Sequence, residues 1–430
     1  MTAAEHPSPH PCPVPFIVGT GRCGTTLLRL MLDAHPALAV PPETHFIPEV
    51  VQTCRQHPEP AEAFLQAVTG HRTWPDFHLS PEPLRSRILA LRPFSLGQAL
   101  REFYRSYAAR FGKERWGDKT PVYAAHMRQI HHHLPEARFI HLVRDGRDVA
   151  LSVKSVWFGP KEIREAADWW ATGIREARYQ AQFLPHYLEV RYEDLVTDPV
   201  ATLRSVCQFL DLPWDPALLD YYRGSEERLA ELGAIATAKG RTFISTQDRK
   251  DIHKLTSQPP QSQRVARWKT EMSEADQLTF EAIAGDILAQ YGYPVSGHVQ
   301  PSAPAPLWIE QRDRLQTELA QVIEPNQSFL LLDENQLGWL DFGGQQRPVP
   351  FTCREGEYWG PPADDRTAIA ELEQRRQEGV THAALAWPSF WWLDHYPAFF
   401  AYLRAHFHQV YRSERLMVYD LRRDQQPQPS

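Results

Sequence analysis

The chain has no apolar run approaching the roughly 18 residues that a membrane-spanning helix needs. Its first residues, Met1 to Pro13, are rich in Pro and His, without the basic-then-apolar order of a secretory leader. Neither a membrane span nor a signal peptide is therefore expected. Cysteine is scarce: five residues, Cys12, Cys23, Cys54, Cys207 and Cys353, none paired as C-x-x-C. That scatter argues against a disulfide framework and against a zinc site, and points to reduced thiols in a cytoplasmic protein. No block of Lys or Arg occurs, and 46 Lys+Arg against 53 Asp+Glu give a formal net charge of -7. A nucleic-acid partner has no electrostatic footprint here.

What remains is an ordinary globular composition, 42% hydrophobic and 23% charged, spread over 430 residues. That is more chain than one hydrophobic core usually serves, so two domains are expected. The expected division is a first domain over 14–294, a Pro-rich linker over 295–306, and a small α/β domain over 307–424.

The stretch Phe16-Ile-Val-Gly-Thr-Gly-Arg-Cys-Gly-Thr-Thr-Leu-Leu organises the first domain. An apolar run, Pro15 to Val18, predicts a buried strand; Gly19 to Gly24 predict a turn; Leu27, Leu28, Met31 and Leu32 recur at helical spacing. Strand, glycine turn and helix N-terminus together aim unpaired N–H groups and the positive end of a helix dipole at one point, where a phosphate fits. The spacing follows the P-loop pattern with one change: Gly19, Gly24 and Thr26 stand correctly, but Thr25 occupies the lysine position. That lysine reaches the outer phosphates of a nucleoside triphosphate, so its loss points away from ATP or GTP.

Further candidates follow in chain order. Asp33 to Val40 reads as a helix end followed by a short strand, which leaves into Pro41-Pro42-Glu43-Thr44-His45. Loops at strand carboxyl ends form the ligand crevice of open α/β sheets, so Glu43 or His45 could act as a general base there. Residues 46–115 read as a helical insertion covering the site. Trp116 to Pro121 is turn-rich, with Lys119 a candidate to neutralise a leaving phosphate. Ala137 to Val143 predicts a second buried strand, running into Arg144; Ser152 follows eight residues later on the next helix. An arginine fork and a hydroxyl there suggest a second phosphate site. Arg147 and Lys154 could contribute or could pair with Asp145 and Asp148. His131 to His133 point in different directions on a helix and read as an exposed helix end.

A helix is expected over Lys161–Phe183, a strand leaving into a turn over Leu188–Leu195, and a helix from Asp198, its N-cap. A polar mobile loop over 224–265 comes next, then a helix from Ser273 to Gly292. The C-terminal domain predicts strands at 328–333, 381–386 and 416–420 and helices at 364–379 and 397–407. Its Trp387-Pro-Ser-Phe-Trp-Trp392 cluster reads as core or interface packing. The expected fold class is α/β: a P-loop-like parallel sheet flanked by helices, with a second, smaller α/β domain at the C-terminus.

Taken together, residues 14–294 resemble the sulfotransferase family that uses 3′-phosphoadenosine 5′-phosphosulfate (PAPS). Gly19 to Thr26 is similar to its 5′-phosphosulfate loop and Val143 to Ser152 to its 3′-phosphate motif. The resemblance implies that Gly21, Arg22, Cys23, Gly24, Thr25 and Thr26 cradle the 5′ end, while Arg144 and Ser152 hold the 3′-phosphate. Arg22-x-Gly-Thr-Thr-Leu, Leu32-Asp-Ala-His-Pro36, Glu43-Thr, Lys119 with Pro121, and Val143-Arg-Asp-Gly-Arg147 look most like tyrosylprotein sulfotransferases and their bacterial relatives. By that likeness Glu43 is the catalytic base, Arg22 and Lys119 assist at the sulfonate, and Tyr192 packs at the adenine. The cytosolic branch uses a histidine base, which keeps His45 in reserve; His45 stands where the animal enzymes have arginine. The C-terminal domain lies outside the resemblance.

The function implied is in-line transfer of a sulfonate from PAPS to an acceptor hydroxyl or amine, without a metal. A P-loop-type kinase and a non-catalytic nucleotide-binding scaffold are the alternatives. The expected acceptor is a small molecule, a carbohydrate or a peptide, and the reading allows a homodimer.

Overall fold

The run expected as a buried strand is central to the first sheet: all six residues of Val14–Gly19 are buried. In a computed structural model of the chain, this strand pairs in parallel with Asp118–Lys119 on one side and Ala137–Val143 on the other. Ala137–Val143 pairs in parallel with Tyr187–Arg191, completing a four-stranded sheet. The structure describes residues 12–424 apart from 155, 157–158, 237–241, 297–307, 334–336, 338–339, 341, 343–345, 355–356 and 359–360. Two compact units result, Met1–Ala303 and Pro304–Ser430. Most of the expected linker, from residue 297 on, lies outside the described residues.

The sheet of the first unit has helices on both faces, which is why its strands read as near-continuous apolar runs. One core joins Ile17 and Leu142 to Leu28, Met31, Leu203 and Val206. The other joins Val143 to Trp170, Phe280 and Leu288. Register then sets the site: Ile17 lies opposite Lys119 and Gly19 opposite Leu142. The carboxyl ends of three strands therefore open at one edge, where the crevice of an open parallel sheet lies.

Residues 46–115 form the expected helices, among them Ile47–Gln56, Pro60–Gly70 and Leu96–Ala109. Two expectations need correction. Where a turn was expected at the end of Leu188–Leu195, the strand ends at Arg191 and Tyr192–Thr197 is a helix with Glu193 and Asp194 in its first turn. Acidic side chains there complement the helix dipole, a signal independent of apolar alternation.

The second correction concerns 224–265. Its described part is ordered: a helix Ser225–Leu229, a hairpin of Ile235–Ala236 with Thr242–Ile244, and a helix Thr246–His253. The last of these has no buried residue, so apolar periodicity could not reveal it. A Ser245–Asp248 capping box starts it. Arg249 then ties it to Asp76 through two bonds of 2.9 and 2.7 Å and to the Gly233 carbonyl at 2.7 Å.

The second unit carries a five-stranded mixed sheet in the order Arg347–Pro350, Ser328–Leu332, His382–Ala386, Leu416–Asp424, Phe407–Arg412. The first three strands pair in parallel, and Leu416–Asp424 runs antiparallel to both of its neighbours, His382–Ala386 and Phe407–Arg412. Helices Asp365–Gln377 and Pro397–His406 pack on one core, Trp308–Val322 on another. The edge strand Phe407–Arg412 was not expected: the helix was expected to run to Phe407, and after that buried residue the strand alternates between exposed and partly buried positions. Trp392 is fully buried while Trp391 is 43% exposed, so core packing accounts for only part of the aromatic cluster.

Candidate functional site

The first strand ends in a loop that only certain backbones can make. Gly24 has φ 101, and a Cβ there would lie 2.5 Å from the Tyr192 ring. Glycine is thus required twice, for the left-handed conformation and for the close approach of Tyr192. Helix Thr25–Asp33 begins at this residue with no side-chain cap, leaving its first N–H groups available to an anion. Arg22 also sits at positive φ, 67. A non-glycine residue held there stores strain, the kind of feature that gathers at ligand sites. Cys23 is fully buried in the core, and burial pushes its thiol up to about 12. It supports the loop from beneath and its side chain does not line the cavity.

The second candidate anion site lies beside the first. Arg22 Nε donates to Ser152 Oγ at 3.1 Å, joining the loop to the helix Gly146–Val153. Arg144 donates to the carbonyls of Arg22 (3.3 Å) and Arg264 (2.7 Å), and its guanidinium lies 4.5 Å over the Tyr192 ring. The buried Arg144 Nε has no partner among the described residues. Burial lowers the Arg22 pKa, and the neighbouring cations Arg144 and Arg264 lower it further. Guanidinium groups crowded in this way, with a donor left over, fit a multiply charged phosphate. Arg147, by contrast, is used up in pairs with Asp145 (2.8 Å) and Glu281 (2.7 Å), and stacks on Trp268. Lys154 is exposed and does not line the cavity.

Between the loop and the crevice stands a third group. Lys119 Nζ contacts Glu43 Oε1 at 2.5 Å and Thr26 Oγ1 at 3.2 Å, while His45 Nε2 lies 2.8 Å from Glu43 Oε2. Burial works to raise the Glu43 pKa, but the Lys119 charge and the His45 hydrogen bond outweigh it and hold the carboxyl well below its usual range. Burial also lowers the Lys119 ammonium, opposed by Glu43.

This group rests on a buried polar network that sequence reasoning missed. Thr44 Oγ1 donates to Asp118 Oδ2 at 2.8 Å, and its N–H donates to Thr120 Oγ1 at 3.0 Å. Its carbonyl accepts from Thr73 at 2.9 Å. Tyr104 donates to the same Asp118 oxygen at 2.9 Å. Every polar atom of Thr44 is engaged, so the residues on either side, Glu43 and His45, inherit a fixed position, with His45 at φ 59. Asp118 sits fully buried with Oδ1 unpartnered among the described residues, and burial pushes its carboxyl up to about 6 against the pull of its hydrogen bonds.

One cavity of about 490 Å³ collects these parts. Gly21, Arg22, Gly24, Thr25, Thr26, Glu43, His45, Lys119, Arg144, Ser152 and Tyr192 all line it. Of the residues offered from sequence, Cys23, Arg147 and Lys154 are left out. His131 to His133 end a short helix elsewhere. Arg29, His253 and Arg264 also line the cavity, and no sequence pattern marked them for chemistry.

Residues 13–216 match the sulfotransferase family model. A protein-tyrosine sulfotransferase of Drosophila melanogaster is 29% identical over 218 residues, which cover 49% of this chain and 40% of that protein. Protein-tyrosine sulfotransferase 1 of Danio rerio is 26% identical over 71% of this chain and 79% of its own length. The nodulation protein NoeE of Sinorhizobium fredii is 28% identical over 65% of this chain and 66% of that protein. The chain thus spans well under half of the fly protein, though most of the fish one. Among solved structures, a sulfotransferase domain from the curacin biosynthetic pathway aligns with TM-score 0.45 at 22% identity, over 66% of this chain and 99% of that one. The matched span, residues 13–216, holds the glycine loop, Glu43, Lys119 and Arg144–Ser152, so it is through these residues that the chain is similar to the sulfotransferase family.

Proposed function

We propose that the protein moves a sulfonate from PAPS to an acceptor hydroxyl. The observation that carries this reading is the convergence, in one cavity, of two cationic cradles with a Lys–Glu pair between them. The helix N-terminus after Gly24 and Thr26 receives the 5′ end of the donor; Arg144 and Ser152 receive the 3′-phosphate; Tyr192 offers a flat face for the adenine. A threonine at the P-loop lysine position leaves Lys119, from the neighbouring strand, as the cation at the transferring group. When bound, PAPS supplies an activated sulfonate on a bisphosphate leaving group.

Lys119 and Arg22 neutralise charge as it builds on the bridging oxygen and the sulfonate. Losing one donor of this kind typically costs on the order of 10²–10³ in turnover. Glu43 takes the acceptor proton. To do so it must first lose Lys119 to the donor, which relieves the charge that holds its carboxyl low. The acceptor oxygen bonds to sulfur while the sulfur–oxygen bond to the 5′-phosphate breaks, its electron pair leaving with the bisphosphate. Two of the relatives are named protein-tyrosine sulfotransferases, so a tyrosyl peptide is the first acceptor to try. His45 at the arginine position of the animal enzymes makes carbohydrates and small alcohols the next.

A thermal-shift comparison of adenosine 3′,5′-bisphosphate with ATP and magnesium tests the donor. At a hundredfold excess over its Kd a ligand stabilises by about 2.7 kcal/mol, and the bisphosphate is expected to do so. Stabilisation by magnesium ATP with none by the bisphosphate overturns the reading in favour of a kinase. The companion assay incubates the protein, PAPS and an acceptor panel and looks for the mass of an added sulfonate.

A further inference from the structure

The donor reading leaves one side of the cavity without a tenant. Five apolar side chains line it there: Leu229, Leu232, Ile235, Ile244 and Leu255. Ile235 and Leu255 are half-buried and the other three are buried. A chain of contacts sets this wall beside Glu43. Thr73 Oγ1 donates to the carbonyl of Thr44, the residue after Glu43, at 2.9 Å. Three residues on, Asp76 accepts from the Gly233 N–H at 2.9 Å and from Arg249 at 2.9 Å. Gly233 follows Leu232 directly, and Ile235 pairs with Ile244 across the hairpin.

At the rim of the same side stands Arg72. The Trp74 N–H donates to the His71 carbonyl at 2.9 Å, closing a tight turn with Arg72 at its first corner. An arginine in an exposed turn is by default a solvated surface group. This one lines the cavity, and its turn is tied on one side to Thr44 and on the other to Gly233. The neighbouring cations are taken. Lys119 pairs with Glu43 and Arg249 with Asp76, while Arg29 donates to the Val40 carbonyl at 3.0 Å and lies 3.7 Å from Glu231. Arg264 stands with Arg22 and Arg144 at the phosphate cradles. Of the cations on the Glu43 side, Arg72 alone has no hydrogen bond or ion pair among the described residues.

We propose that the acceptor is an apolar hydroxy acid. Its hydroxyl meets Glu43, its hydrocarbon body covers the leucine and isoleucine wall, and its carboxylate pairs with Arg72. The inference rests on the sulfonate-transfer reading above and names the substrate class of that same site. The step itself is unchanged: the hydroxyl oxygen bonds to sulfur, its proton passes to Glu43, and the electron pair of the broken sulfur–oxygen bond leaves on the bisphosphate. A pocket of apolar side chains with a few placed polar groups is the usual form of a small-molecule site. Covering that wall removes apolar surface from water, and an arginine fork holds a carboxylate through two parallel bonds. One unengaged cation answers one anionic group. Glu49, 3.9 Å from His71 beside the turn, opposes a run of acidic residues. The site therefore favours a hydroxy acid over an acidic peptide.

The full chain, PAPS and a ladder of ω-hydroxy fatty acids, each beside its methyl ester, test this. In wild type kcat/KM is expected to rise about fourfold per added methylene until the wall is covered. Acids are expected to exceed their esters by about five- to tenfold, most at the length that spans from Glu43 to Arg72. Added salt is expected to shrink that preference. In R72A and R72Q the preference is expected to vanish through KM rather than kcat, with adenosine 3′,5′-bisphosphate bound as in wild type. R72K is expected to keep part of it. Acid and ester used equally by wild type, or a preference that survives R72A, overturns the role of Arg72. A flat dependence on chain length overturns the apolar class, and so does a tyrosyl peptide preferred over every hydroxy acid. Wild-type protein that does not bind the bisphosphate overturns the donor reading and this inference with it. Bisphosphate binding without transfer to any hydroxy acid overturns this inference alone.

Discussion

Asp118 offers the sharpest test of how the reaction centre is supported. Its carboxyl is fully buried beneath Thr44, accepts from Thr44 and Tyr104 through one oxygen, and has no partner for the other. Burial raises its pKa to about 6 in the folded chain, against about 3.9 when unfolded. A carboxyl whose folded pKa is raised contributes stability below the unfolded value, and loses it as pH climbs through the folded one. At about 1.4 kcal/mol per unit, ionising it costs about 3 kcal/mol in all. Roughly half of that develops between about pH 5 and about pH 7.5.

In D118N the acceptor oxygen remains and the titration disappears. The variant has its own fixed penalty, a buried amide without a partner, but that penalty does not change with pH. Melting curves of wild type and D118N should therefore converge or cross as pH rises. The Tm of the variant minus that of wild type is expected to grow by about 3 °C from about pH 5 to about pH 7.5. Taking the difference cancels the histidines, whose titration affects both proteins alike. A difference that is flat with pH, or that shrinks, refutes the raised carboxyl and the account of a dry network under Thr44.

Two further substitutions probe the cavity directly. E43Q keeps the size of the side chain and removes its proton affinity; it should bind adenosine 3′,5′-bisphosphate as wild type does and transfer sulfonate about 10²–10⁴ times more slowly. Full activity in E43Q moves the base to His45. G24A places a Cβ 2.5 Å from Tyr192 at a backbone φ of 101, at a cost of about 1–2 kcal/mol in backbone strain alone. A lower Tm and bisphosphate affinity weakened by about tenfold are expected, and unchanged values for both refute the tight loop.

Much of this protein can be read from its sequence because the decisive signals are local. The apolar run before Gly19 and the leucines after Gly24 declare a strand and a helix by their periods alone. The glycines between them declare the turn, since few other residues adopt its backbone. Arg144 at a strand end, Ser152 two turns into the next helix, and Glu43 after a strand are equally local, each placed by the rule that such ends face one crevice. A parallel sheet then does the rest: with Lys119 opposite Ile17 and Leu142 opposite Gly19, residues more than a hundred positions apart share an edge.

Only the tertiary structure decided what surrounds those residues. Cys23 sits inside the loop motif, yet its side chain turns into the core; neighbours in sequence do not reveal which way a side chain points in an irregular turn. The helix that carries His253 is polar on every side and is held by Arg249 on Asp76, a pair 173 positions apart. No period in the sequence could disclose it. The Thr44–Asp118 network joins residues 74 positions apart through hydrogen bonds whose strength comes from burial. Burial belongs to the assembled fold, and so do the pKa shifts of Asp118 and Glu43 that follow from it. The sequence names the chemical groups, and the packing sets their charge and their reach.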